Sequence, residues 1–145
     1  MDNRPSILIL NGPNLNLLGK RQPEIYGHQT FDEYYAELKG RFTKVGLSYY
    51  QSNHEGALID KLHEVGFGIE GIVMNPGGYT HTSIALADAV ASIESPVVEV
   101  HISNIYERES FRHHSYIKAV ALDSIVGQGL AGYDQAIQVI LDHAS

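Results

Sequence analysis

Short runs rich in β-branched and apolar residues alternate with longer stretches of helical spacing, and the alternation recurs about five times along the chain. Ile7–Asn11 reads as a first strand and is nearly all apolar, as a strand buried on both faces must be. A helix is expected over Phe31–Val45, capped by Thr30 and closed by Gly46, with Phe31, Tyr34, Tyr35, Leu38 and Phe42 on one side. Leu47–Ser52 reads as a second strand, and Glu55–Val65 as a helix with Leu58, Ile59, Leu62 and Val65 in step. A third strand, Ile69–Asn75, ends in Pro76-Gly77-Gly78. A helix over Ser83–Ile93 and a fourth strand over Val97–Ile102 follow. The pattern ends with a short helix over Tyr106–Phe111, a fifth strand over Ala119–Val126 and a closing helix over Tyr133–His143.

Strand and helix in strict alternation call for a parallel sheet covered on both faces. The expected fold is therefore a three-layer α/β domain over residues 1–145, a doubly wound sheet of five parallel strands in flavodoxin-like order. Such sheets bind ligands at the carboxyl ends of their strands, near the reversal in strand order. The polar residues that follow the strands are thus the first to examine.

The charge balance narrows the ligand. Ten Lys and Arg stand against 17 Asp and Glu, a net charge of −7, which argues against nucleic acid as a partner. Basic residues nevertheless gather at Lys20-Arg21 and at Arg108, Arg112, His113 and His114, and local basic spots on an acidic chain suit a small anion. The absence of cysteine removes disulfides and thiolate metal sites. No apolar run is long enough to cross a membrane, and Met1-Asp2-Asn3-Arg4-Pro5 lacks the layout of a secretory signal. A cytoplasmic location with no membrane partner is expected.

Several attractive motifs fail on chemistry. Gly19-Lys20 resembles the end of a phosphate loop, but Arg21 stands where Ser or Thr is needed for magnesium. Gly127-Gln128-Gly129-Leu130-Ala131-Gly132 spells G-x-G-x-x-G, yet the chain ends before the further strand and acidic residue that a dinucleotide site requires. It reads as a tight strand-to-helix turn. The eight histidines form no recognised ligand spacing, so no metal is expected, and His28, His54, His63 and His143 read as surface or loop residues. Lys20, Lys39, Lys44, Lys61 and Lys118 all lie outside the apolar strands that would depress a lysine for Schiff-base chemistry. A phospho-receiver needs aspartate at the end of the third strand, where this chain has Asn75. The loop Asn11–Asn16 is not the Ser/Thr/Gly-rich loop of a flavin mononucleotide site.

Two segments carry positive signals. Glu99 and His101 are two apart on a strand and so share a face, where a carboxylate orients an imidazole and favours its protonated, acid-competent form. An isolated E-x-H is also common as a buried structural pair. The connection from Asn11 to Gly27 is long for a compact domain, as lids and binding loops are.

Six segments in order resemble the type II 3-dehydroquinate dehydratase family over nearly the whole chain. They are N-G-P-N-L-N-L-L-G at 11–19, P-E-I-Y-G at 23–27, Q-S-N-H-E-G at 51–56, N-P-G-G-Y-T-H-T-S at 75–83, E-V-H-I-S-N at 99–104 and F-R-H-H-S-Y at 111–116. The resemblance implies a hydro-lyase that takes water from 3-dehydroquinate to give 3-dehydroshikimate by anti elimination through an enolate, without cofactor, metal or Schiff base. The resemblance further implies a role in either aromatic biosynthesis or quinate breakdown, which share this chemical step. By the same resemblance Tyr26 is the base, Arg21 the cation that stabilises its phenolate, and Asn14 the holder of a water against the enolate. His101 is implied as the acid and Glu99 as its orienting partner. Asn75, His81, Arg112 and the backbone of Ile102 and Ser103 are implied to meet the anionic substrate's carboxylate and hydroxyls. Arg108 is implied to support the loop or ligand. Asp88 is implied to reach a neighbouring subunit's site, in an assembly of trimers and then a dodecamer. Two departures stand out: Arg21-Gln22-Pro23 replaces the common R-E-P, and Ala85-Leu86-Ala87-Asp88-Ala89 replaces A-L-R-D-A.

Overall fold

The computed structural model describes residues 2–145. Five parallel strands form one sheet: β1 Ser6–Asn11, β2 Gly46–Gln51, β3 Gly71–Asn75, β4 Val97–His101 and β5 Asp123–Val126. Their order is β2-β1-β3-β4-β5, the flavodoxin-like order, with the reversal between β1 and β3. The helices are α1 Pro23–Tyr26, α2 Phe31–Arg41, α3 Glu55–Val65, α4 Ile84–Ser92 and α5 Ala131–Ala144. None is long and apolar enough to cross a membrane.

Alternation along the central strands sends side chains to two separate cores. Ile7, Ile9, Val73, Val98 and Val100 meet Phe31, Tyr34 and Leu38 of α2 and Tyr133, Ile137 and Ile140 of α5. Leu8, Leu10, Ile72, Met74 and Val97 meet Leu58 and Leu62 of α3 and Leu86 and Val90 of α4. Both faces of β1 are dry, which is why its sequence carries no polar alternation.

The helix starts follow the caps. Thr30 Oγ1 accepts from the Glu33 N–H while the Glu33 carboxylate accepts from the Thr30 N–H, a complete capping box for α2. Ser83 Oγ accepts from the Leu86 N–H at 2.8 Å and caps α4.

Four sequence expectations need correction. Helix α2 stops at Arg41 rather than Val45: a turn closed by Val45 N–H to Phe42 O (3.0 Å) drops Val45 into the core. Gly46, expected to close the helix, instead begins β2 with its N–H on Pro5 O. The fifth strand starts at Asp123, not Ala119, because the ladder with β4 begins only at Val98–Asp123. Val120 and Ala121 turn back on Ile117 O instead, and only from Leu122, whose N–H donates to Val97 O, does the chain meet β4. The expected helix over Tyr106–Phe111 is two single 3₁₀ turns, Ile105–Glu107 and Ser110–Arg112, interrupted where Arg108 and Glu109 are extended. The G-x-G-x-x-G segment is the tight turn expected of it, with Gly127 at φ 76° and Gly129 at φ 60° leading into α5.

Candidate active site

At the carboxyl ends of β1, β3 and β4 the loops surround a cleft of about 150 Å³, below the volume usual for drug-sized ligands and suited to a small molecule. The loop after β1 supplies Asn14, Arg21 and Tyr26. The end of β3 and the turn beyond it supply Asn75 and His81. His101 closes β4, and Ile102, Ser103, Arg108 and Arg112 follow it. Ten of the twelve residues singled out in the sequence therefore line one cleft, Glu99 lies directly behind His101, and Asp88 alone is elsewhere, exposed on α4. No lysine is among the lining residues. Among the described residues no group of three or more His, Asp or Glu is placed to hold a metal ion.

Tyr26 ends α1, a single turn that starts at Pro23 and stops at Gly27. Its hydroxyl accepts a 2.9 Å hydrogen bond from Arg108 Nη1, which also donates to Ser103 Oγ at 3.3 Å. The Arg21 guanidinium carbon lies 5.3 Å from the Tyr26 ring centroid and that of Arg108 5.9 Å, so two cations flank the phenol. The sequence singled out Arg21 for this task. Arg21 does flank the ring, and the hydroxyl's hydrogen bond comes from Arg108, 82 residues away in the chain, through the extended residue that breaks the expected helix.

Glu99 and His101 share a face of β4, as the two-residue period requires. Glu99 is 1% exposed and His101 5%. Glu99 Oε2 accepts from His101 Nε2 at 2.9 Å and from Ser115 Oγ, and its Oε1 accepts from Ser124 Oγ at 2.7 Å. Burial pushes the Glu99 carboxyl up, but the hydrogen bonds from His101, Ser115 and Ser124 and the charge on His101 outweigh it and hold the group below the usual carboxylate range. A carboxylate only accepts, so Nε2 of His101 carries a hydrogen and Nδ1 is the nitrogen left for proton exchange.

His81 Nδ1 lies 2.8 Å from His114 O, a carbonyl that can only accept, so Nδ1 donates and Nε2 is left as an acceptor. Burial pushes the His81 imidazole below its ordinary value, more strongly than the His114 carbonyl raises it, and His101 and Arg112 nearby push the same way. His28, His54, His63 and His143 are exposed, as expected of surface and loop residues.

Several residues that hold the cleft were not singled out by the sequence. Gln51 Nε2, at the end of β2, donates to Gly12 O and to Asn53 Oδ1, both at 3.1 Å, and Asn53 Oδ1 accepts from the Asn14 N–H at 3.0 Å. This accounts for the Q-S-N-H-E-G segment, whose side chains steady Asn14 in a left-handed conformation (φ 71°). Gly12 passes so close to the turn after β3 that a Cβ there would fall 2.5 Å from Pro76 O. The positions of Gln51, Asn53 and Gly12 at or just past strand ends were the available signal.

A tyrosine flanked by two arginines, beside a carboxylate-held histidine at the switch point of a parallel sheet, is an arrangement chemically able to move protons, as an enzyme site requires. The chain belongs to the class II dehydroquinase family, whose model matches residues 5–141. It is 54% identical to a 3-dehydroquinate dehydratase of Corynebacterium glutamicum, over 92% of this chain and 94% of that one. A 3-dehydroquinate dehydratase of an Exiguobacterium species is 52% identical, with 94% of each chain covered. The crystal structure of a type II dehydroquinase from Butyrivibrio crossotus superposes with a TM-score of 0.90 at 48% identity, covering 95% of this chain and 98% of that one.

Proposed function

We propose that this protein is a type II 3-dehydroquinate dehydratase, a hydro-lyase that removes water from 3-dehydroquinate to give 3-dehydroshikimate. The observation that carries the reading is the Tyr26 hydroxyl held by Arg108 in the same cleft as the Glu99–His101 pair. Elimination beside a ketone requires a base for the α-proton, stabilisation of the enolate oxygen, and an acid for the departing hydroxyl.

A tyrosine with pKa about 10 is a weak base at neutral pH unless cations stabilise its phenolate. Arg108, by hydrogen bond, and Arg21, beside the ring, fill that role, and Tyr26 then takes the α-proton to leave an enolate. Asn14 positions a water against the enolate oxygen. His101, oriented by Glu99, delivers a proton from Nδ1 to the leaving hydroxyl as the carbon–oxygen bond breaks. Arg112, Asn75, His81 and the backbone of Ile102 and Ser103 bind the substrate's carboxylate and hydroxyls, with neutral His81 able to accept from a hydroxyl. The absence of lysine from the lining supports a route without a Schiff base.

Asp88 does not line its own chain's cleft, so the role that the resemblance implies for it requires a neighbouring subunit, as in an assembly of trimers. Ile84, 59% exposed on the same helix, supports a covered surface there.

The test is to incubate the protein with 3-dehydroquinate and borohydride, remove both, and follow ultraviolet absorbance with fresh 3-dehydroquinate beside an untreated sample. A conjugated-enone signal that survives borohydride is expected. A signal abolished by borohydride would move the chemistry to a lysine, and no signal in either sample would overturn the substrate.

A further inference from the structure

Asn11 and Asn75 are register partners at the last paired position of β1 and β3, where both strands give way to loops of the cleft. Under them lies Tyr133 of α5, with no exposed surface. Its ring packs on Phe31 at 4.9 Å between centroids. Its hydroxyl donates to Asn11 Oδ1 at 2.8 Å and accepts from Asn75 Nδ2 at 3.1 Å. Burial pushes this phenol far above its ordinary value, against the opposing pull of the asparagines, so it stays a neutral hydroxyl with one proton to place.

The direction of the whole chain of bonds follows from one donor that cannot be reversed. The Gly77 N–H points at one atom of the Asn75 amide, 3.2 Å away, and a backbone N–H only donates, so that atom is the oxygen. The other atom is therefore the NH₂ group, which must donate to the Tyr133 oxygen. The tyrosine proton then goes to Asn11 Oδ1, and Asn11 Nδ2 is left facing the Tyr49 hydroxyl at 3.5 Å. Asn75 thus keeps one N–H and one carbonyl lone pair uncommitted, in fixed places, for whatever occupies the cleft it lines.

We propose that Tyr133 is a positioning residue for substrate recognition: its hydroxyl, bridging Asn11 and Asn75, anchors the Asn75 amide in the orientation that the Gly77 N–H sets, so that it presents a paired donor and acceptor to a substrate hydroxyl. This rests on the reading of the cleft as a 3-dehydroquinate site. Tyr133 touches no substrate and contributes nothing to proton transfer, so its effect belongs to binding rather than to the chemical step.

The test is steady-state kinetics on 3-dehydroquinate for the wild type, Tyr133→Phe, Asn75→Ala and the double variant. Phenylalanine keeps the ring packed on Phe31 and removes only the hydroxyl. The expected result is a roughly threefold to tenfold rise in KM for Tyr133→Phe, the scale of one hydrogen bond, with kcat within about twofold of wild type. In the Asn75→Ala background the same substitution should change KM no further, because the tyrosine acts through that amide. Equal KM for Tyr133→Phe and wild type, or a full additional rise in the double variant, overturns the proposal. So does a fall in kcat without a rise in KM, the mark of a merely structural role. A wild type that does not turn over 3-dehydroquinate would instead sink the functional reading. Should Tyr133→Phe fail to fold, Asn11→Ala releases the tyrosine proton to compete for the Asn75 amide. The same KM rise is then expected, and an unchanged KM overturns the proposal.

Discussion

Tyr26 sits in the loop after β1, half-buried, with one hydrogen bond to its hydroxyl from an arginine in the extended break between two 3₁₀ turns. His101 sits on a central strand, 5% exposed, against a carboxylate that accepts three hydrogen bonds. The proposed acid is built into the sheet and the proposed base is hung beside it. A strand group cannot shift without disturbing both cores, whereas a loop group can be set by what binds. On the proposed mechanism, this placement lets the base adjust to a ligand whose leaving group faces a fixed acid.

Removing the base is the strongest way to break this contrast. Tyr26→Phe should lower kcat by about 10²–10⁴-fold, the range for loss of a general base, while its melting temperature stays near wild type. A variant that keeps its turnover would remove Tyr26 as base. A smaller effect separates the two arginines. Arg108→Ala, which removes a hydrogen bond to a developing phenolate, should cost roughly tenfold to a hundredfold in kcat. Arg21→Ala should cost less, because its guanidinium lies over the ring rather than on the hydroxyl. The reverse ranking would restore Arg21 to the leading role that the sequence implied. Neither change should unfold the protein, since both arginines lie on loops outside the two hydrophobic cores.

On the acid side the contrast predicts a stability effect. Glu99→Gln should destabilise the fold at neutral pH by about 1–3 kcal/mol, since charge-assisted bonds to three donors are weakened. Glu99 is held below its ordinary value, so its ionised form contributes stability above pH about 4.5, and that contribution is lost as the pH falls through the folded value. Thermal melts of wild type and variant should therefore converge on acidification below that point. Parallel curves down to pH 3 would show that the carboxylate carries no such linkage.

The features legible in the sequence were those with a short period. Buried strands, capped helices and the shared face of Glu99 and His101 follow from spacings of two and of three to four residues, and the sheet confirms them. The start of β5 was not legible, because Val120 and Leu122 look like strand residues until the partner strand is known to begin at Val97. Nor was the link from Arg108 to Tyr26, which spans 82 positions and depends on a break between two turns. Tyr133 read only as the start of the closing helix, because nothing in its neighbourhood along the chain marks its hydroxyl as shared by two asparagines.

The contact between Gly12 and Pro76 has a consequence for how much sequence change this fold can absorb. Any side chain at position 12 would meet the backbone oxygen of the turn after β3 and wedge apart the two strands at the head of the cleft. A position without a single functional atom is therefore as intolerant as the residues that do the chemistry. Substitutions there would be lost at the level of soluble, folded protein, before any assay of turnover could register them.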